Sequence, residues 1–145
     1  MLGAFNLIFY TRQMRYLGID YGSKRIGLAL SDESHDFSYP LQVLDNSKAV
    51  VNEIVEICVK NNIGEIIVGE SLNFSQKPNE IMKEIIPFVK NLEEKLKIPV
   101  HMHPEFLTSA EAEQIQGKNE MHDASAAALI LKSYLDLKNN SSKII

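Results

Sequence analysis

With 145 residues, 45% of them hydrophobic and 23% charged, and with only five prolines and seven glycines, the chain has the size and make-up of one folded domain, not of a disordered, collagen-like or low-complexity protein. A net charge of −4 argues against broad electrostatic adhesion to nucleic acid or anionic lipid, so any contact with a polyanion has to be local. The single cysteine, Cys58, excludes an internal disulfide and a thiolate metal cluster and suits a reducing compartment, the cytoplasm.

No apolar run approaches the ~20 residues of a membrane helix, so no membrane partner is expected. The leader Met1–Gln13 has no Lys or Arg ahead of its apolar stretch and ends directly before a strong strand pattern. It reads either as an extension from an upstream start codon or as a packed N-terminal arm. One domain is expected over 14–138, with 139–145 as a frayed tail.

Tyr16–Asp20 reads as a short buried strand, Tyr21–Lys24 as a glycine-containing turn and Arg25–Ser31 as a second strand, together a hairpin. After the loop Asp32–Tyr39, the alternation in Pro40–Leu44 predicts a third, half-exposed strand. From Ser47 to Asn61 apolar residues recur at helical spacing, with Asn46 or Ser47 as cap and Asn61–Gly64 as stop. Glu65–Val68 is a continuous apolar run, as in a central strand covered on both faces, and it empties into the polar loop Gly69–Asn79. Pro78 or Asn79 opens a long helix to about Lys97, striped by Ile81, Ile85, Phe88, Val89, Leu92 and Leu96, in which Pro87 predicts a kink or a break. Ile98–Met102 is the fifth strand, Thr108–Glu111 has capping-box spacing for a short helix, and Asp123 to about Lys138 is a last, alanine-rich helix. The order β-β-β-α-β-α-β-α-α fits an α/β fold, a mixed five-stranded sheet with one antiparallel strand, flanked by helices.

Four carboxylates stand near element ends. Asp20 closes an apolar strand and is followed by Gly22, whose missing side chain would let a ligand or metal approach the backbone. Glu105 lies just beyond the fifth strand, Glu70 just beyond the central one, and Asp123 at the front of the last helix, where a capping role alone also accounts for it. Singly each signal is weak; gathered on one sheet edge they form the oxygen-rich site that hard divalent cations require. Two Mg²⁺ or Mn²⁺ ions roughly 4 Å apart could then activate a water and stabilise a leaving oxygen in phosphoryl transfer. Lys24, Arg25 and Lys77 are the cations placed to meet a phosphodiester backbone locally, or are ordinary surface charges. His101 and His103 alternate on a strand, but no cysteine or third histidine stands near them at zinc spacing.

The stretch Leu17-Gly-Ile-Asp-Tyr-Gly-Ser-Lys-Arg-Ile-Gly-Leu-Ala-Leu-Ser-Asp32 closely resembles the opening motif of the YqgF (RuvX) family, pre-16S rRNA nucleases and Holliday-junction-resolvase-like proteins with an RNase H-like fold. Ile67–Asn73, Leu107–Glu113 and Asp123–Asp136 are similar to later motifs of that family and follow in its order, from Met14 to Asp136. The resemblance implies an RNase H-like fold, Asp20, Glu105 and Asp123 as metal-binding acids for Mg²⁺ or Mn²⁺, and RNA, the 5′ end of pre-16S rRNA, as substrate. DNA junctions are the alternative substrate, ribosomal particles a further partner, and a monomer or homodimer the expected state.

Two departures stand out. Where the family usually has Asp-Glu-Arg before Leu-Thr, this chain has Pro104-Glu105-Phe106, so a carboxylate and a guanidinium are replaced. Where it usually has Leu-Pro after Val-Gly, this chain has Glu70-Ser71, and Glu70 could stand in for the missing acid. The competing expectation is a nucleic-acid-binding assembly factor whose catalysis has weakened. Gly18-Ile-Asp-Tyr-Gly22 also looks like the phosphate-binding hairpin of actin-like ATPases and sugar kinases, but those close two such domains around a nucleotide and 145 residues supply one.

Overall fold

The computed structural model describes residues 14–72, 75, 77–106 and 120–143. The leader Met1–Gln13 and the short helix expected from Thr108 lie outside them. Strands β1 (Arg15–Tyr21), β2 (Arg25–Ser31), β3 (Ser38–Asp45), β4 (Ile63–Leu72) and β5 (Val100–Phe106) alternate with helices α1 (Val50–Lys60), α2 (Met82–Leu96) and α3 (Glu120–Lys143). They make one sheet in the order β3-β2-β1-β4-β5, in which β1 pairs antiparallel with β2, β2 antiparallel with β3, and β1, β4 and β5 run parallel. Only β2 opposes the others, as the alternation of elements implied.

Each strand of the centre is apolar on both faces because helices cover both. One face carries Leu17, Ile19, Ile66 and Val68 against Val51 and Ile54 of α1 and Ile85, Phe88 and Leu92 of α2. The other carries Tyr16, Ala29 and Ile67 against Ala127, Ile130, Leu131 and Leu135 of α3. The α3 face is lined by small residues, and that is how the helix comes close. A Cβ built on Gly27 would stand 2.0 Å from the Asp123 carbonyl oxygen, so only glycine lets α3 rest on β2 there.

Several boundaries differ from expectation for identifiable reasons. The central strand does not stop at Val68: Gly69–Leu72 go on pairing with His103–Phe106 of β5, and this ladder overrides their polarity. Glu70 and Glu105 are therefore strand residues, not loop residues. Pro87 interrupts neither the helix nor its buried stripe, Met82, Ile85, Phe88, Val89 and Leu92. It lies early in α2 and removes one backbone donor while that stripe is held by packing. Helix α1 ends at Asn61 and Asn62, the latter in the left-handed region at φ 55°, and Gly64 already belongs to β4. The segment 139–143 is helical, a continuation of α3, where a frayed tail was expected. Gly22 leaves no room for a ligand, because a Cβ there would meet the Arg25 carbonyl oxygen at 2.5 Å.

Candidate active site

In a pleated strand successive side chains point to opposite faces. On β1, Leu17 and Ile19 face α1 and α2, so Asp20 faces α3. Directly across the hairpin Asp20 pairs with Gly27, on whose backbone Asp123 rests. On its other side the parallel pair Ile19↔Val68 makes Gly69 the next residue of β4, and the Glu105 carboxylate lies over it: a Cβ on Gly69 would stand 3.0 Å from Glu105 Oε2. Asp20, Glu105 and Asp123 thus meet at one level of the α3 face, near the carboxyl ends of parallel strands, where open α/β sheets place ligands.

Their electrostatics record the crowding. All three are half-buried. Burial, then the nearby charges of Glu105 and Asp123, push the Asp20 carboxyl from 3.8 up to about 7. Burial raises Glu105 from 4.5 to about 7 as well. Asp123, 15% exposed, is held by a cation instead: Arg25 Nε lies 3.1 Å from its Oδ2. Asp123 lies inside α3, with Glu120–His122 already helical before it, so it is not the residue ahead of the helix that caps it.

The remaining candidates separate from this group. Val68 and Ile66 face α1 and α2, so Glu70 faces the same way and stands on the opposite side of the sheet from Asp20; the expectation that it joins the cluster is not met. Lys24 is exposed in the hairpin turn and Lys77 is exposed between β4 and α2. Arg25 is not a free phosphate contact but the partner of Asp123. His101 and His103 share the α3 face with Glu105 but pack around Tyr134, with His101 stacked at 5.7 Å and His103 edge-on at 5.9 Å; His103 Nε2 is 2.9 Å from the Ser133 hydroxyl. Neither belongs to a metal-binding group among the described residues. What the sequence reading missed is the supporting role of Gly27 and Gly69 and the Arg25–Asp123 pair. The readable signal was the match between Gly27 and Ala29 on β2 and the alanines 124, 126, 127 and 128 on α3, two small-residue surfaces made to touch.

Among the described residues no three His, Cys, Asp or Glu side chains already stand as a closed ligand set. The donor chemistry nonetheless fits a hard divalent cation: oxygen atoms only, from three carboxylates, two of which carry an electrostatic cost that a cation would relieve.

A mixed sheet with a β1–β2–β3 meander, parallel β1, β4 and β5, and an acidic cluster under α3 defines an RNase H-like protein. Solved structures agree in fold: Thermus thermophilus RuvC bound to a Holliday junction superposes with a TM-score of 0.56 at 15% identity, over 86% of this chain and 95% of that one. The fowlpox virus Holliday junction resolvase gives 0.52 at 16%, over 85% and 99%. The chain belongs to the RuvX family, described as Holliday junction resolvase, whose model matches residues 14–137. Relatives that carry a pre-16S rRNA nuclease name include one from Caldanaerobacter subterraneus, 34% identical over 88% of this chain and all of that protein. Another, from Lawsonia intracellularis, is 33% identical over 85% and 94%. No helix among the described residues is long and apolar enough to cross a membrane.

Proposed function

We propose that this chain is a divalent-metal-dependent endonuclease that trims the 5′ end of pre-16S rRNA. The observation that carries the reading is the meeting of Asp20, Glu105 and Asp123 at one level of the sheet, from three separate elements. These side chains would hold Mg²⁺ or Mn²⁺; when bound, the ion supplies an activated water and charge neutralisation at the scissile phosphate. Asp20 holds its place by strand pairing, Glu105 by lying over Gly69, and Asp123 by the seat of α3 on Gly27. Such fixed donors need little rearrangement to act. Lys24 and Lys77, exposed in the hairpin turn and between β4 and α2, are the cations that would offer the RNA backbone a local contact, in keeping with an acidic protein.

A precursor RNA carrying the 5′ extension should be cut by the full chain only when Mg²⁺ or Mn²⁺ is present, and Asp20→Asn should abolish cutting while the fold persists. Cutting that survives Asp20→Asn overturns the reading. The family description favours a second substrate, four-way DNA junctions. Side-by-side rates on the two nucleic acids decide between them.

A further inference from the structure

The Asp123 carboxylate, one of the three proposed ion-binding groups, already shares one oxygen with a cation. Arg25 opens β2 directly after the hairpin turn and places Nε 3.1 Å from Asp123 Oδ2. The two partners differ in their freedom to move. Asp123 is 15% exposed and its backbone is pinned on Gly27, whereas the Arg25 side chain is 39% exposed and long. If the pair opens, the arginine is the one that leaves. A guanidinium on one carboxylate oxygen disfavours a dication on the same carboxylate, because it draws off negative charge and the two positive charges repel across the group.

We infer that Arg25 is a built-in counter-ion that competes with the divalent cation for Asp123, so that it sets the site's metal affinity and is freed toward the substrate only when the cation enters. The inference rests on the proposed metal site. Arg25 acts here as a positioning residue, not as a ligand.

Mn²⁺ binding to the full chain, followed by calorimetry and by the electron paramagnetic resonance signal of free Mn²⁺, tests it without reference to turnover. Arg25→Gln should bind Mn²⁺ about twofold to fivefold more tightly than the unaltered chain, the scale of a partly exposed ion pair. Lys24→Gln removes an equal charge from the adjacent position, and should change affinity less than about twofold at moderate salt. Arg25→Lys keeps the charge with a shorter reach and should fall between; it carries the test if Arg25→Gln does not fold. Unchanged or weaker Mn²⁺ binding in the Arg25 variants, or an equal gain in Lys24→Gln, overturns the counter-ion role while leaving the metal site intact, provided that Asp20→Asn loses binding. Failure of the unaltered chain to bind Mn²⁺ overturns the metal site itself and the inference with it.

Discussion

Gly27 and Asp123, far apart in the chain, touch so closely that a methyl group at position 27 would overlap the Asp123 carbonyl oxygen. That contact both seats α3 and presents the Asp123 carboxylate to Asp20, which pairs with Gly27 from the neighbouring strand. Gly27→Ala has no flexible neighbour to push aside, because the obstacle is backbone. It should cost ~3 kcal/mol or more of stability, the upper range of overpacking. Cleavage should fall by roughly 10²-fold even well below the melting temperature, as expected when a catalytic group is displaced by about 1 Å. Thermal melts and initial rates on the same preparation check both; a melting temperature equal to that of the unaltered chain would show that α3 is not seated there.

The pH dependence of the metal-free fold follows from Asp20 and Glu105. Both carboxyls titrate near 7 when folded and near 4 when unfolded, so the folded state holds protons that the unfolded state releases. Below about pH 4 both states are protonated and folding bears no charge penalty. As pH rises toward 7 the unfolded state gains by ionising and stability falls, levelling off above the folded values. In EDTA the melting temperature should therefore drop between about pH 5 and pH 8. Added Mg²⁺ should recover more stability at the higher pH, since the cation needs ionised ligands. Melting curves that rise over this interval without metal would contradict the arrangement.

Asp20→Asn separates stability from function. A shift from 3.8 to about 7 corresponds to at most ~4 kcal/mol of unfavourable free energy for the ionised group in the native state. The amide removes that charge at nearly constant volume. At about pH 8 without metal the variant should unfold at a higher denaturant concentration than the unaltered chain, by part of that bound, although it no longer cleaves. Equal or lower stability would mean that the Asp20 charge is relieved by something other than protonation or a cation.

Glu105 and Glu70 are near in sequence logic and opposite in space. The first lies over Gly69 on the α3 face; the second, one position after Gly69, is turned to the α1 and α2 face. Glu105→Gln should reduce cleavage on the order of 10²-fold or more, the scale of losing one fixed electrostatic group. Glu70→Gln should leave rates within about twofold. Comparable losses in the two would show that substrate contacts both faces of β4.

Much of this arrangement was legible in the amino-acid order. The β1–β2 hairpin is marked by apolar runs on either side of Gly22, and Asp20 stands out as a charge at the end of a strand that is otherwise apolar. The alternation of elements gave the single antiparallel strand. What escaped were consequences of contacts made at long range. The extension of β4 through Leu72 depends on β5 pairing, and with it the face of Glu70, since a residue's side follows from strand parity only once the strand's extent is known. Arg25, in a charged turn next to Lys24, looks like solvated surface until α3 brings Asp123 to it. The resemblance to a known family supplied the grouping of Asp20, Glu105 and Asp123, which local pattern could only suggest.

The end of α3 supplies a last test, because it was expected to fray and instead clasps the far end of the sheet. Lys138 Nζ donates to the Tyr16 hydroxyl and lies 4.8 Å from that ring's centroid, and its ammonium is 3.9 Å from the Glu65 carboxylate. Asn139 Nδ2 donates to the His35 carbonyl at 3.2 Å, while the His35 ring stacks on Tyr16 at 4.2 Å. These contacts tie α3 to β1 and to the loop between β2 and β3, at the opposite end of β1 from Asp20. Truncation after Leu137 removes the contacts of Lys138 and Asn139 and should cost about 1–3 kcal/mol, a modest figure because Lys138 is half-exposed and its ion pair is screened. Cleavage at about 25 °C should change less than twofold, since Asp123 lies several turns away and remains seated on Gly27. Unaltered melting would mean that the clasp contributes nothing to the fold. A large loss of activity without loss of stability would mean instead that the end of α3 takes part in holding the nucleic acid.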